Sequence, residues 1–190
     1  MIIVNFKKYV SGDAAVNLAK ICKKVSDETG TKIVICVQPQ DIYPDIECWS
    51  QKTEDFKYNF SGTLVNHSDN RISEWPNIKP GIKVCLCTKD GPETKDLIFR
   101  KPDFILYEPL ELIGSATTSV ALSKPEVISE VAKICKDNNI PLIVGAGVKS
   151  GEDVRISLQR GAIGIGVSSA VVKAVDPEQQ LRELAEAYKI

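Results

Sequence analysis

The sequence has little that marks a special class of protein. It contains one histidine, one methionine and two tryptophans, and its 24 basic residues are balanced by 25 acidic ones. A net charge of −1 argues against nucleic acid or an anionic membrane as a partner. No apolar run reaches the roughly 18 residues of a membrane helix. The segment MIIVNFKKY places its positive charges after the apolar run, the reverse of a secretory signal, which predicts an intracellular, cytoplasmic protein.

The sequence also lacks a cysteine pattern typical of a metal site. The six cysteines are Cys22, Cys36, Cys48, Cys85, Cys87 and Cys135. None forms a Cys-x-x-Cys pair, and His67 is the only imidazole that could complete a zinc site. Because most of these cysteines lie in apolar stretches, we expect them to be small buried residues, and we expect no metal.

Eight short runs have the composition of strands. Most are continuously apolar, which is typical of strands buried on both faces of a parallel sheet. The predicted strands are Ile2–Phe6, Lys32–Val37, Glu47–Gln51, Thr63–Asn66, Ile82–Cys87, Asp103–Tyr107, Pro141–Val144 and Ile163–Val167.

Helical patterns lie between several of these runs. Asp13 is a candidate cap for a helix to about Thr29, and Ser123 to Glu126 has a capping-box pattern that would open a helix to about Asn138. Two further helices are predicted from Ser150 to about Arg160 and over Pro177–Tyr188. Alternating strands and helices predict an α/β fold, a (β/α)8 TIM barrel forming a single domain over residues 1–190.

The chain is short for such a barrel, which typically takes about 250 residues. The connections 38–46 and 52–61 are too short for a helix, and 67–81 contains Pro76 and Pro80. We therefore expect a compact barrel whose helices after strands 2, 3 and 4 are missing or reduced. The alternative is an open parallel sheet with helices on both faces.

Polar side chains at the ends of the predicted strands are candidates for chemistry, because parallel barrels carry their sites at the carboxyl ends. Asn5 and Lys7 are two residues apart, so both can enter one pocket. His67 follows the fourth run at a candidate helix N-terminus, which would keep its ring neutral. Each feature alone also fits a purely structural role.

Glu108 directly follows the sixth run, where partial burial would raise its pKa and suit a general base. The segment after it, residues 109–116, has a proline at one end and small residues at the other, as a hinged lid would. Small-residue loops at 144–148 and 164–169 expose backbone N–H groups suited to phosphate. Together these groups suit proton transfer beside the carbonyl of a small phosphorylated substrate.

The segments NFKKY, VNHSDNR, YEPLELIGS and VGAGV, in this order, resemble triosephosphate isomerase, most closely its archaeal branch. The resemblance implies interconversion of dihydroxyacetone phosphate and D-glyceraldehyde 3-phosphate through an enediolate. It implies a small phosphorylated triose as the substrate, and neither a metal nor an organic cofactor.

The resemblance also implies residue roles. Lys7 would stabilise negative charge on the substrate, and Asn5 would line the same pocket. His67 would polarise the carbonyl as a neutral imidazole, and Glu108 would be the catalytic base. The residues that would bind phosphate through their backbone are Gly114, Gly147, Ser168 and Ser169.

The chain departs from the family at three places. Asp69 replaces a longer glutamate, which predicts a weaker contact with Lys7, and Ala116 replaces a glycine, which predicts a stiffer lid hinge. The family's projecting loop after strand 3, which steadies a neighbouring subunit, is absent, so any homo-oligomer would use a non-standard interface. Lost helices should also expose apolar barrel surface. The alternatives are therefore a catalytically weak sugar-phosphate-binding barrel, an interaction protein using that surface, or another sugar-phosphate barrel enzyme.

Overall fold

The computed structural model describes residues 1–115 and 117–189. Its strands are β1 (Ile2–Asn5), β2 (Ile33–Val37), β3 (Cys48–Ser50), β4 (Gly62–Val65), β5 (Lys83–Thr88), β6 (Phe104–Tyr107), β7 (Leu142–Val144) and β8 (Gly164–Val167). Each strand pairs in parallel with the next, and β1 pairs with β8, so the sheet closes into a barrel. Closure confirms the predicted (β/α)8 barrel and excludes the open sheet.

The helices are unevenly distributed around this barrel. They are α1 (Asp13–Thr29), α2 (Gly91–Leu97), α3 (Val120–Ser123), α4 (Pro125–Asp137), α5 (Gly151–Gln159), α6 (Ser169–Val172) and α7 (Pro177–Glu186). Within the described residues no α-helix lies between β2 and β5, where the chain forms only the 3₁₀ turns Pro39–Asp41 and Thr53–Lys57. The predicted loss of the helices after strands 2, 3 and 4 is confirmed.

Two predicted helix starts are wrong. Ser123 ends α3 and its hydroxyl donates to the carbonyl of Ser119, so it caps nothing, and α4 begins at Pro125. Asp13 is the first helical residue of α1 rather than its cap, a position that Gly12 occupies. The capping box of this fold lies at the start of α5.

Trp49 fills the interior of the barrel near the amino ends of its strands. Its ring is fully buried and lies against Gly62, where a Cβ would come within 2.6 Å of Nε1. Nε1 donates to Glu47 at 2.8 Å, and Lys32 and Lys83 form ion pairs with the same carboxylate at 2.7 and 2.9 Å. Burial alone would raise the pKa of Glu47, but these hydrogen bonds outweigh it and lower the pKa to about 2.

The thin side of the barrel does not expose the apolar surface that the lost helices would have covered. Outward residues of β2 are buried beneath residues from the shortened connections, among them Ile42, Tyr43 and Phe60. On the outside of β3 and β4 the fully buried Ser50 and Thr63 join their hydroxyls at 2.8 Å. Over the side chains that the structure describes, the expected uncovered apolar face is not found, because short loops and a polar pair close this side.

The six cysteines are all free and buried, as expected. Among residues 1–115 and 117–189, no three or more histidine, cysteine or acidic side chains gather where they could hold a metal ion. Over the same residues, no helix has both the length and the apolar character needed to cross a membrane.

Candidate active site

A cavity of about 270 Å³ opens at the carboxyl ends of the strands. Its volume is just below the range of about 300–1,000 Å³ typical of small-molecule sites, so it suits a small substrate. All eight site residues predicted from the sequence line it: Asn5, Lys7, His67, Glu108, Gly114, Gly147, Ser168 and Ser169. Their placement in one cavity follows from the barrel, which brings together the ends of strands distant in sequence.

Lys7 lies in a left-handed turn just after β1, with φ of 48°. Its backbone N–H donates to Asn5 Oδ1 at 2.9 Å. Gln51 Nε2 donates at 3.0 Å both to the carbonyl of Lys7 and to that of Cys36, so a side chain from beyond β3 fixes the turn. Sequence reasoning missed Gln51, because its only signal is an amide at a strand end.

The Lys7 ammonium forms an ion pair with Asp69 at 3.0 Å. The shorter side chain of Asp69 therefore still reaches Lys7, and a weaker contact than a glutamate would make stays a prediction. The ion pair orients the ammonium at the edge of the cavity, 14% exposed, beside the ring of His67.

His67 is buried, and its tautomer follows from its hydrogen bonds. Nδ1 accepts the backbone N–H of Asp69 at 3.1 Å, so the proton of the neutral ring lies on Nε2. Burial and then the charge of Lys7 lower the pKa of His67 to about 4. Among the described residues no helix begins between His67 and β5, so the expected helix N-terminus is wrong, and burial is what lowers the pKa of the ring.

A polar network behind His67 holds its backbone turn. Asn66 has a left-handed backbone with φ of 62°, and its amide donates to the carbonyl of Cys87 at 3.1 Å. Arg71 donates to the carbonyl of Asn66 at 3.3 Å and forms an ion pair with Glu93 on α2. Glu93 was not predicted as part of the site, since α2 has too few apolar residues to be predicted as a helix. Arg71 lies in the segment VNHSDNR, but local sequence assigns it no role.

Glu108 follows β6, and its side chain reaches into the cavity beside His67. Its carboxylate lies over Gly145, where a Cβ would come within 2.7 Å of it. Oε2 lies 3.6 Å from His67 Nε2 and has no hydrogen-bond partner within the described part of the chain. Burial raises the pKa of Glu108 to about 7, although the charge of Lys7 acts in the opposite direction. Such a carboxyl can gain and lose a proton near neutral pH.

The other wall of the cavity is built from backbone. Gly114 and Gly147 have φ of 72° and 76°, a conformation that favours glycine. Across residues 1–115 and 117–189, the N–H groups of Gly114, Gly147 and Ser169 donate to no other protein group. Ser168 instead donates its hydroxyl to the carbonyl of Asn5 at 2.6 Å. The predicted effect of Ala116 on the lid lies outside the described residues.

This geometry defines a class: a compact (β/α)8 barrel with a carboxylate, a neutral imidazole and a lysine at one wall of its cavity. The other wall carries backbone amides that have no partner among the described residues. A family model described as triosephosphate isomerase matches residues 90–187. The chain is 35% identical to triosephosphate isomerase from Thermoplasma volcanium, with 96% of this chain and 98% of that one covered. It is 37% identical to triosephosphate isomerase from Saccharolobus solfataricus, covering 96% and 93%. The chain belongs to the triosephosphate isomerase family, which is a family of enzymes.

The comparison also supports the shortening of the barrel. The alignment with the Thermoplasma volcanium protein spans 210 positions, more than the 190 residues of this chain, so that relative carries additional residues within the aligned region.

Solved structures share the fold at much lower identity. Thiamine phosphate pyrophosphorylase from Pyrococcus furiosus superposes with a TM-score of 0.69 at 14% identity, covering 99% of this chain and 95% of that one. A 3-hexulose-6-phosphate synthase superposes with a TM-score of 0.67 at 13% identity, covering 98% of both chains. These similarities concern the fold alone.

Proposed function

We propose that this protein is a triosephosphate isomerase that interconverts dihydroxyacetone phosphate and D-glyceraldehyde 3-phosphate by proton transfer through an enediolate. The observation that carries the proposal is the meeting of Glu108 Oε2 and His67 Nε2 at 3.6 Å inside one small cavity. Simple phosphate binding requires neither group, whereas enolisation requires a base and an electrophile beside the same carbonyl.

In this proposal Glu108 takes the proton from one substrate carbon and returns it to the neighbouring one. A carboxyl with a pKa of about 7 is partly ionised at neutral pH and is still basic enough to remove a proton. Its Oε2, which has no hydrogen-bond partner among residues 1–115 and 117–189, is free to face the substrate. No cofactor enters the mechanism.

The negative charge that develops on the substrate oxygen is stabilised by three donors. His67 offers the N–H of Nε2 because Nδ1 is occupied by the backbone of Asp69. Asn5 Nδ2 lies 3.4 Å from the same ring nitrogen, so the two groups aim at one position. The Lys7 ammonium adds a full positive charge.

The substrate phosphate is assigned to the wall of the cavity that is built from backbone, away from Glu108 and His67. Gly147, Ser168 and Ser169 place their backbone around it, and the N–H of Gly114 contacts it from the lid, residues 109–116. Residues of the lid line the cavity, so a closed lid excludes water and limits loss of phosphate from the intermediate. The substrate class and a cytoplasmic location stay predictions.

The test is isomerase turnover of glyceraldehyde 3-phosphate by the purified protein. Turnover should disappear in Glu108→Gln, and Glu108→Asp should lower kcat strongly because the carboxylate retreats by about one bond. His67→Gln should lower kcat with less effect on binding of inorganic phosphate. An inactive parent that still binds inorganic phosphate would refute the proposal and leave a phosphate-binding barrel.

A further inference from the structure

Asp153 is a fully buried carboxylate that the proposed reaction does not use. Its Oδ2 accepts the backbone N–H groups of Lys149 and Ser150, each at 3.0 Å, and the Ser150 hydroxyl at 2.9 Å. The bond from the Ser150 N–H, together with the bond from the Asp153 N–H to the Ser150 hydroxyl at 3.2 Å, forms the capping box of α5. The three bonds to Oδ2 hold the end of the loop of residues 145–150, here called the cradle loop. The cap needs only Oδ2, so the second oxygen remains available for another task.

That second oxygen binds the segment that follows the lid, residues 117–119, here called the lid root. Oδ1 of Asp153 accepts the hydroxyl of Ser119, the last residue of the lid root, which is also fully buried. The two residues are 34 positions apart in the sequence and lie on different elements. One carboxylate therefore bonds the cradle loop with one oxygen and the root of the lid with the other.

Two further contacts join the same two segments. The N–H of Val120 donates to the carbonyl of Ala146 at 3.2 Å. Gly147 lies so close to the lid root that a Cβ there would overlap the Thr118 carbonyl and come within 2.9 Å of Ser119 Cα. The segment after the lid thus packs against the cradle loop, whereas the other end of the lid directly follows Glu108.

We propose that Ser119 and Asp153 are positioning residues that couple the lid to the cradle loop, so that a phosphate in the cradle and a closed lid stabilise each other. The role of the cradle in holding the substrate phosphate rests on the proposed function. The coupling itself follows from the shared carboxylate, because any movement of Ser119 displaces the group whose Oδ2 accepts the N–H groups of Lys149 and Ser150.

Hydrogen exchange with inorganic phosphate as the probe tests this coupling without isomerase activity. In the parent, phosphate should slow amide exchange both in the cradle loop and in residues 109–115 of the lid. Ser119→Ala should keep the protection of the cradle loop and reduce that of the lid roughly tenfold, the scale expected for losing one bond to a charged acceptor. Asp153→Asn keeps the shape of the side chain and one oxygen. Its lid protection should therefore lie between that of the parent and that of Ser119→Ala.

Ser150→Ala is the matched control, because it removes a hydroxyl from Oδ2 of the same carboxylate and leaves the bond to Ser119 intact. Its lid protection should equal that of the parent. Lid protection that survives Ser119→Ala, or that falls equally in Ser150→Ala, would overturn the proposal. A parent whose lid gains no protection from phosphate would overturn it as well.

Isomerase assays add a second readout. With a loosened lid, Ser119→Ala should raise the share of turnover that releases inorganic phosphate. In that side reaction the bond between carbon and the phosphate ester oxygen breaks, and its electron pair leaves with phosphate. The enol that remains takes up a proton on carbon and becomes methylglyoxal. An inactive parent would contradict the proposed function alone, while the exchange experiment would still decide the coupling.

Discussion

Replacing Glu108 by glutamine should stabilise the protein at about pH 8 and change its stability little at about pH 4. Burial raises the pKa of the Glu108 carboxyl from 4.5 to about 7. Between these two values the unfolded chain has already lost the proton that the folded chain retains, so the free energy of unfolding of the parent falls as the pH rises. A shift of about 2.5 units, at about 1.4 kcal/mol per unit, corresponds to about 3 kcal/mol above pH 7.

Urea unfolding of the parent and of Glu108→Gln at both pH values measures this difference. We expect the variant to be more stable by about 3 kcal/mol at the higher pH and by less than about 0.5 kcal/mol at the lower one, because glutamine does not titrate. Glu130→Gln, an exposed carboxylate on α4, is the control and should show neither effect. An equal difference between parent and Glu108→Gln at both pH values would refute the assignment of a destabilising buried charge.

Three other measurements probe the barrel and its site. Glu47→Gln should lower the free energy of unfolding by about 1–3 kcal/mol above pH 5, because Trp49 and the paired Lys83 lose a charged acceptor. The higher stability of the parent should disappear as the pH drops from 4.5 toward 2 and the Glu47 carboxylate is protonated. Equal urea midpoints for parent and variant at neutral pH would contradict the predicted loss of stability. Gly62→Ala should cost about 1–3 kcal/mol through overlap with the Trp49 ring, seen as a lower Tm, and an unchanged Tm would exclude the overlap. Finally, kcat/KM should rise with pH to a plateau above about 7 as Glu108 ionises, and a profile flat from pH 5 to 9 would argue against Glu108 as the base.

The strands could be predicted closely because continuous apolar runs report burial on both faces. Each predicted run corresponds to an observed strand with bounds within one residue. The helix α2 escaped prediction because GPETKDL has no apolar stripe and depends on Asp90, which accepts the N–H of Glu93 at 2.7 Å. The capping box was assigned to Ser123 because the same pattern occurs there beside a proline, and only the tertiary structure shows that another helix already ends at this residue.

Site residues that directly follow strands could be predicted from the sequence. Features of the site that depend on contacts between distant parts of the chain could not. Local sequence identified Lys7 and His67 as residues at strand ends. It could not show that Gln51, 44 positions after Lys7, fixes the backbone of that lysine. Nor could it show that burial, rather than a helix, keeps His67 neutral, since burial is a property of the assembled barrel.

The hydroxyl pair of Ser50 and Thr63 lies on the weakest seam of the barrel. Only two residue pairs join β3 to β4, and only a 3₁₀ turn at Thr53–Lys57 covers this seam, whereas the equally short β7–β8 junction has α5 packed against it. We expect local unfolding to begin here, with β3 and β4 forming the least stable cooperative unit of the chain. Such an opening would leave the phosphate side of the cavity intact and release Gln51, so the left-handed turn of Lys7 would be the first part of the site to be lost.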